Sequence, residues 1–456
     1  EAMAADLVVV NHHLFFADVM LRDEGMAELL PACNTVIFDE AHQLPEVATL
    51  FFGDTVSTAQ VLDLARDARA EALTSARDFL ALPDASKKVE KAAKDLRLAV
   101  GIDAGRFSYG QLVEKPDFAP ALQALEEEVA AFAALLQTQA ERAEGLEKCW
   151  QRAVELEQRL GQWQNLTDLS YVRWAEAFTH SLQLTSTPLN VAEIFRKQMG
   201  GHPRAWIFTS ATLAVQGKFH HYCAELGLGE PDSACWHSPF DYDSQAILYA
   251  PLGMPDPNAW NYTDAVVEAA WPAVKAANGG AFFLCTSLRA MRRTHELLKA
   301  KLEDEGIDMP LLVQGEGSKN DLLQRFRHHG ASILVGSQSF WEGVDVRGEA
   351  LSLVVIDKIP FAPPDDPVLS ARIEQMRQQG RNAFIEYQLP RAVINVKQGA
   401  GRLIRDETDR GVLMICDPRL ISKPYGRRVW QSLSPMKRTK ELSEVLSFFA
   451  NRTGDV

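Results

Sequence analysis

Two strings carry residue types that could do chemistry. Asp39-Glu40-Ala41-His42 follows the apolar run Val36-Ile37-Phe38, and Gln398-Gly399-Ala400-Gly401-Arg402-Leu403-Ile404-Arg405 lies far downstream. The first places two adjacent carboxylates at the end of an expected buried strand. One carboxylate can anchor Mg²⁺ and the other can orient water for attack on a γ-phosphoryl group. The second string places Arg402 and Arg405 three apart, on one face of what reads as a helix start. Guanidinium forks suit phosphate better than an ammonium does. Together these are parts for nucleoside triphosphate hydrolysis. No G-x-x-x-x-G-K-[ST] phosphate loop occurs in the 456 residues. Each string also has a plainer reading: acidic residues are stabilised at a helix start, and Arg405-Asp406 can pair locally on a charged helix face. That second reading leaves Gln398 and Gly401 unexplained.

Two further strings are weaker. Thr209-Ser210-Ala211-Thr212 follows another apolar run, and its hydroxyls could bridge a nucleotide site to a polymer site or simply cap a turn. The segment Gly336-Ser337-Gln338-Ser339-Phe340-Trp341-Glu342-Gly343-Val344-Asp345 reads as a strand end and a loop. There Gly343 permits close backbone approach to a ligand, and Asp345 could accept from a ribose hydroxyl or position an arginine. Trp341 fits a packed core better than a base stack.

These residues need a scaffold, and short apolar runs supply it. They fall at 7–10, 36–38, 206–208, 282–284, 333–335, 353–356 and 412–415, and each stops at a polar or small residue. The stops include Asn11-His12, Asp39, Thr209-Ser210, Cys285-Thr286-Ser287, Gly336-Ser337-Gln338, Asp357-Lys358 and Cys416-Asp417. Continuous apolar runs read as strands of parallel sheets buried on both faces. Chemistry in such sheets collects at the carboxyl ends of the strands. From about 56 to 166 strand signals nearly vanish. Leu122, Leu125, Val129, Phe132, Leu135 and Leu136 recur at helical spacing, as do Val61, Leu64 and Ala68. A softer stretch at 84–120, with its Gly and Pro, reads as turns. Pro251-Leu252-Gly253-Met254-Pro255-Asp256-Pro257 reads as a linker.

Bulk properties narrow the class. The length allows about two to four domains. A net charge of −14 argues against coating nucleic acid through bulk charge. A local basic stretch remains: Lys423, Arg427, Arg428, Lys437, Arg438 and Lys440, with Tyr425 and Trp430 interleaved, suits either a nucleic-acid surface or a solvated face. No apolar run approaches the roughly 18 residues of a membrane span. The six cysteines form no C-x-x-C pair, which favours reduced thiols in a cytoplasmic protein over a disulfide framework or closed metal site.

In order and content the motifs resemble the XPD/DinG group of superfamily 2 helicases, and within it the bacterial DinG-like enzymes. The likeness rests on Val9-Val10-Asn11-His12, Asp39-Glu40-Ala41-His42-Gln43-Leu44-Pro45, Thr209-Ser210-Ala211-Thr212-Leu213 and Ser339-Phe340-Trp341-Glu342-Gly343-Val344-Asp345. It continues through Asp357-Lys358-Ile359-Pro360-Phe361, the 398–405 string and Cys416-Asp417-Pro418-Arg419. The resemblance implies an α/β fold: two RecA-like parallel-sheet domains, an ATP site in the cleft between them, and a helical, arch-like insertion in the first. The expected division is 1–55 and 176–248 for the first domain, 56–175 for the insertion and 249–456 for the second domain.

The resemblance further implies ATP-driven 5′-to-3′ movement on single-stranded DNA in repair or replication. The implied partners are single-stranded DNA, forks or duplex junctions and a replication or repair protein, with no membrane. It gives Asp39 to Mg²⁺ and Glu40 to the attacking water. His42 and Gln398 would couple ATP to DNA, and Arg402 and Arg405 would be arginine fingers. Glu342, Gly343, Asp345 and Gly401 fall at the nucleotide. Asn11, His12, Thr209, Ser210, Thr212, Thr286, Ser287 and Gln338 fall to coupling and DNA contact. The family carries its phosphate loop and a four-cysteine 4Fe-4S cluster upstream of the Asn-His strand. The resemblance therefore implies that this chain is a C-terminal portion, inactive alone, whose cluster ligands lie elsewhere. The competing reading is a catalytically silent DNA- or protein-binding fragment.

Overall fold

The computed structural model describes residues 4–23, 29–201, 204–337, 340 and 350–451. The chain forms two compact units. The first comprises residues 1–209, 223–229 and 363–381, and the second residues 210–222, 230–362 and 382–456.

In the first unit, β1 (Thr35–Phe38) pairs in parallel with β6 (Ala205–Phe208), from Thr35 opposite Ala205 to Phe38 opposite Phe208. Phe38 stacks between Trp206 and Phe208, and Phe15 meets it edge-on. That aromatic cluster fixes where β1 ends, and so where Asp39 begins. The run at 7–10 does not form a strand; Leu7 and Val9 are exposed. An apolar run becomes a strand only where a neighbour accepts its backbone hydrogen bonds, and no described segment pairs with this one.

Between β1 and β6 stand four long helices, Thr58–Ser75, Ala81–Ala99, Phe118–Gln137 and Glu144–Asn165. Their stripes build one core from Val61, Leu64, Leu96, Leu122, Leu125, Val129, Phe132 and Leu136, with Leu135 at its margin. A capping box between Ser57 and Gln60 starts the first of them. The stretch 84–120 is less soft than its prolines suggest. Pro120 falls in the first turn of Phe118–Gln137, where no intrahelical N–H is needed, and the helix continues through it.

The insertion is not purely helical. β2 (Asp54–Ser57), β3 (Gly105–Ser108), β4 (Tyr171–Ala177) and β5 (Leu182–Pro188) form an antiparallel sheet ordered β2-β5-β4-β3. Two of its strands have four residues, and β5 is rich in Thr and Ser, so no apolar run betrays them. The sheet is tied to the helices by side chains: Trp163 Nε1 donates to the Thr185 carbonyl at 3.0 Å. The boundary drawn at 175 runs through β4. The helix Pro367–Gln378, late in the chain, packs on β3 and β4, and Asp366 meets Arg106 at 3.1 Å.

The second unit is built on β7 (Ala246–Tyr249), β8 (Ala281–Leu284), β9 (Leu311–Val313), β10 (Ile333–Gly336), β11 (Leu353–Ile356), β12 (Gly411–Ile415) and β13 (Lys437–Thr439). They form one all-parallel sheet ordered β13-β7-β12-β11-β8-β10-β9. Every residue of β7, β8, β10, β11 and β12 is buried, as a sheet covered on both faces requires. Because β7 belongs to this sheet, the Pro251–257 stretch is a loop inside the second unit rather than a link into it. Proline reports loop chemistry, not domain boundaries.

Candidate functional site

In the first unit the acidic motif is assembled by the β1/β6 pair. Thr209 N donates to Phe38 O at 2.8 Å, and Ala41 N donates to Thr209 O at 2.9 Å, so the two strand ends are stitched together. Thr209 Oγ1 then donates to Asp39 Oδ1 at 3.0 Å, an acceptor shared with Glu40 N at 3.0 Å. Asp39 Oδ2 has no hydrogen-bond partner among the described residues and lies on an exposed side chain. Mg²⁺ is typically held by one or two carboxylates, waters and substrate phosphates, and an open carboxylate oxygen on a fixed strand end fits that demand. Among the described residues no group of three or more His, Cys, Asp or Glu forms a closed metal cage.

Glu40 lies at φ 48°, ψ 42°, in the left-handed region that a glutamate rarely adopts. Such strain, of order 1 kcal/mol, persists where the surroundings impose a conformation. Here it turns the chain from β1 into the turn Ala41–Gln43 and leaves the Glu40 carboxylate exposed, 3.3 Å from Nδ1 of the nearly buried His42. His12 joins the cluster. Its ring lies edge-on to Phe38, burial lowers its pKa, and a hydrogen bond to the Asp39 backbone pulls the other way. Asn11 Oδ1 accepts from Leu14 N at 2.7 Å, which caps the helix His12–Asp23; its observed task is structural.

In the second unit, Ser210 and Thr212 hydrogen-bond to each other. Gln398 is buried in the helix Leu389–Ala400, whose Lys397 Nζ donates to the Ala214 carbonyl at 3.0 Å. Arg402 and Arg405 are corrected: they follow the end of this helix instead of starting one. Pro390 in the first turn and the stripe Leu389, Ala392, Val393, Val396 mark the true start. The helix closes at Gly401, whose N–H donates to Lys397 O. Beyond it the loop is held by residues that sequence reasoning missed. Asp409 Oδ2 accepts from Arg405 N at 2.7 Å and from Asp406 N at 2.9 Å. Gln245 Nε2 donates to the carbonyls of Asp406, Glu407 and Asp409, each at 3.0 Å. Gln338, Glu342, Gly343 and Asp345 lie outside the described residues.

Thr286 and Ser287 are structural anchors at the end of β8. Thr286 N and Oγ1 donate to the Asp357 carboxylate, while Ser287 caps the helix Leu288–Glu305. Asp417 takes a fork from Arg419 at 2.7–3.1 Å and a hydrogen bond from Ile359 N at 2.8 Å. Tyr262 OH donates to the carbonyls of Asp357 and Cys416. Of the basic stretch, Tyr425 is packed against Phe361 and Phe384, and Arg438 lies over Trp430 at 3.9 Å. Both aromatics therefore have partners within the protein.

Burial pushes the Asp357 carboxyl up to about 6, against the hydrogen bonds from Thr286 and Lys358. A carboxyl with a raised folded-state pKa binds its proton more tightly when folded. Its contribution to stability is therefore greatest at low pH and falls as pH rises from 3.8 to about 6. Asp357→Asn is expected to remove that slope, at most about 3 kcal/mol over the window. Urea unfolding of both proteins across the window measures it; parallel curves would contradict the assignment.

The geometry matches a known class. A family model described as "Helicase C-terminal domain" matches residues 270–436. The chain is 41% identical to the ATP-dependent DNA helicase YoaA of Escherichia coli over 450 residues, 99% of this chain and 70% of that protein. It is 40% identical to YoaA of Haemophilus influenzae over 453 residues, 99% of this chain and 70% of that protein. Among solved structures, "XPD_Helicase" superposes with a TM-score of 0.59 at 14% identity, covering 94% of this chain and 72% of that one. "Structure of S. tokodaii Xpd4" superposes with a TM-score of 0.59 at 13% identity, covering 94% and 81%. Those two likenesses establish an XPD-type fold with RecA-like sheets. The chain belongs to the YoaA/DinG family of ATP-dependent DNA helicases.

Proposed function

We propose that the chain supplies most of the machinery of an ATP-driven motor that moves 5′ to 3′ along single-stranded DNA and opens forks or duplex junctions during repair or replication. The observation that carries this is the acidic pair held at the end of β1, with Asp39 bound to Thr209 and Glu40 turned out by a left-handed backbone. Asp39 would hold the Mg²⁺ that neutralises nucleotide phosphates, and Glu40 would orient the attacking water and accept its proton. His42 contacts Glu40 and is placed to report its state. Gln398, Arg402 and Arg405 would take part in hydrolysis, the arginines acting on charge developing in the transition state. Gly401, with Glu342, Gly343 and Asp345, serves the nucleotide.

Asn11, His12, Thr209, Ser210, Thr212, Thr286, Ser287 and Gln338 link hydrolysis to DNA. A 4Fe-4S cluster and a repair or replication partner complete the reading, in the cytoplasm. Among the described residues no helix is long and apolar enough to cross a membrane.

Hydrolysis needs a phosphate loop as well as these residues: its lysine, hydroxyl and backbone cradle supply much of the grip on ATP. The 456 residues contain no such string. Phosphate release by residues 1–456, with and without single-stranded DNA, is therefore expected at background. Turnover at ordinary helicase rates, roughly 1 s⁻¹ or more, would mean that another residue set holds the phosphates.

A further inference from the structure

At the carboxyl end of the second sheet a cleft of about 680 Å³ is lined by Trp260, Arg289, Arg292, Arg293 and Lys358. On its rim Trp260 is 91% exposed. An indole face left in water beside cations can stack a nucleic-acid base. The loop here is ordered by its own bonds. Asn258 N donates to Asp256 Oδ1 at 2.9 Å, Ala259 N to Asp256 O at 2.8 Å, and Tyr262, two residues on, is pinned to the carbonyls of Asp357 and Cys416. The indole is presented on a fixed base.

The cations beside it are unequal. Arg293 is spent: both its Nε and Nη2 reach Asp264 at 2.9 Å, and it also faces Glu296. The side chains of Arg289, Arg292 and Lys358 make no hydrogen bond or ion pair among the described residues. The Asp357 carboxylate in the wall is occupied by Thr286 and Lys358 N. Two uncommitted arginines, with Lys358 whose charge also acts on the neighbouring Asp357, next to one bare aromatic face match a nucleotide unit: a flat apolar base carrying an anionic phosphate.

We propose that this cleft seats single-stranded DNA, with one base stacked on Trp260 and the flanking phosphates on Arg289, Arg292 and Lys358. The proposal rests on the DNA-motor reading above and assigns Trp260 a task in it. Stacking engages the π-face that every base has, so the seat accepts any base. That is what a motor moving through arbitrary sequence requires. The cations set salt dependence, and the indole sets dependence on the presence of a base.

Equilibrium binding of residues 1–456 to a fluorescent oligothymidylate, and to the same backbone without bases, tests it over a salt series. Trp260→Ala is expected to weaken oligothymidylate binding by about 5- to 150-fold, the range for one lost base stack. The salt slope should not change, and Trp260→Phe should recover most of the loss. The unmodified chain should lose a comparable factor on the abasic strand, whereas Trp260→Ala should barely distinguish the two. Combined Arg289→Ala and Arg292→Ala should flatten the salt slope by roughly 1.4. An exposed side chain contributes little to folding, so thermal midpoints should match. Unaltered DNA affinity in Trp260→Ala, with weakened binding in the arginine variant, would overturn the stacking seat and leave the motor reading standing. No DNA binding by the unmodified chain would overturn both.

Discussion

Glu40→Gln is expected to leave ATP binding near normal and to lower hydrolysis by roughly 10²–10⁴-fold in a polypeptide that includes the phosphate loop, the range for loss of a general base. Glutamine keeps the volume, the Cβ and therefore the left-handed backbone at φ 48°. It also leaves untouched the bond between Asp39 and Thr209 that holds the strand ends together. The substitution removes only the proton-accepting charge, and with it the charged partner of His42. ATP affinity by equilibrium titration and turnover by phosphate release separate the two effects. Hydrolysis at the unmodified rate would mean that the acidic pair does no more than start the turn that follows β1.

The largest effect is expected at the arginines. Arg405→Ala should cut kcat by roughly 10³–10⁵-fold, the worth of an arginine finger in other phosphoryl-transfer systems. Its backbone N–H, which donates to Asp409, survives the change, so the loop behind the helix Leu389–Ala400 should keep its shape. ATP affinity should change much less, because a finger acts on charge that develops in the transition state. Arg402→Ala should behave similarly, with one of the two dominant. Lysine should rescue poorly, since a point charge cannot reproduce a planar fork. The competing account makes these residues DNA-phosphate ligands. It predicts the reverse: lost DNA affinity, a shallower salt slope, and near-normal kcat once DNA is saturating.

How much of this was legible in sequence depends on what kind of signal each element leaves. Buried parallel strands leave a strong one. The runs at 36–38, 206–208, 282–284, 333–335, 353–356 and 412–415 all appear as strands, each followed by the polar residues anticipated. The helical stripes at Val129, Phe132 and Leu136 are equally plain and fully buried. Half-exposed antiparallel strands leave little: Gly105-Arg106-Phe107-Ser108 has one large apolar residue, yet it pairs with β4 because a register exists there. Leu7-Val8-Val9-Val10 fails for the opposite reason, with ample apolar character and no described neighbour to pair with.

Supporting polar residues were the least visible. Asp39 and Glu40 stand out because they interrupt an apolar run, whereas Gln245 ends the short helix Tyr242–Gln245 and Asp409 sits within a polar run, 164 positions apart. Only the fold brings them together to shape the arginine loop. Asp357 was noted as a strand end, but its burial and its grip on Thr286 follow from the packing of β8 beside β11. The arginine string reads as a helix start from the spacing of Arg402 and Arg405, whereas Pro390 and the apolar stripe Leu389, Ala392, Val393, Val396 carry the signal of the true start.

The most direct test of the motor reading is unwinding by the polypeptide that includes the phosphate loop, on two duplexes identical except that one carries a 5′ single-stranded tail and the other a 3′ tail. The account predicts ATP-dependent separation of the 5′-tailed duplex, little separation of the 3′-tailed one, and loss of the activity in Glu40→Gln with DNA binding retained. Equal unwinding of both substrates, or unwinding that persists in Glu40→Gln, would contradict it.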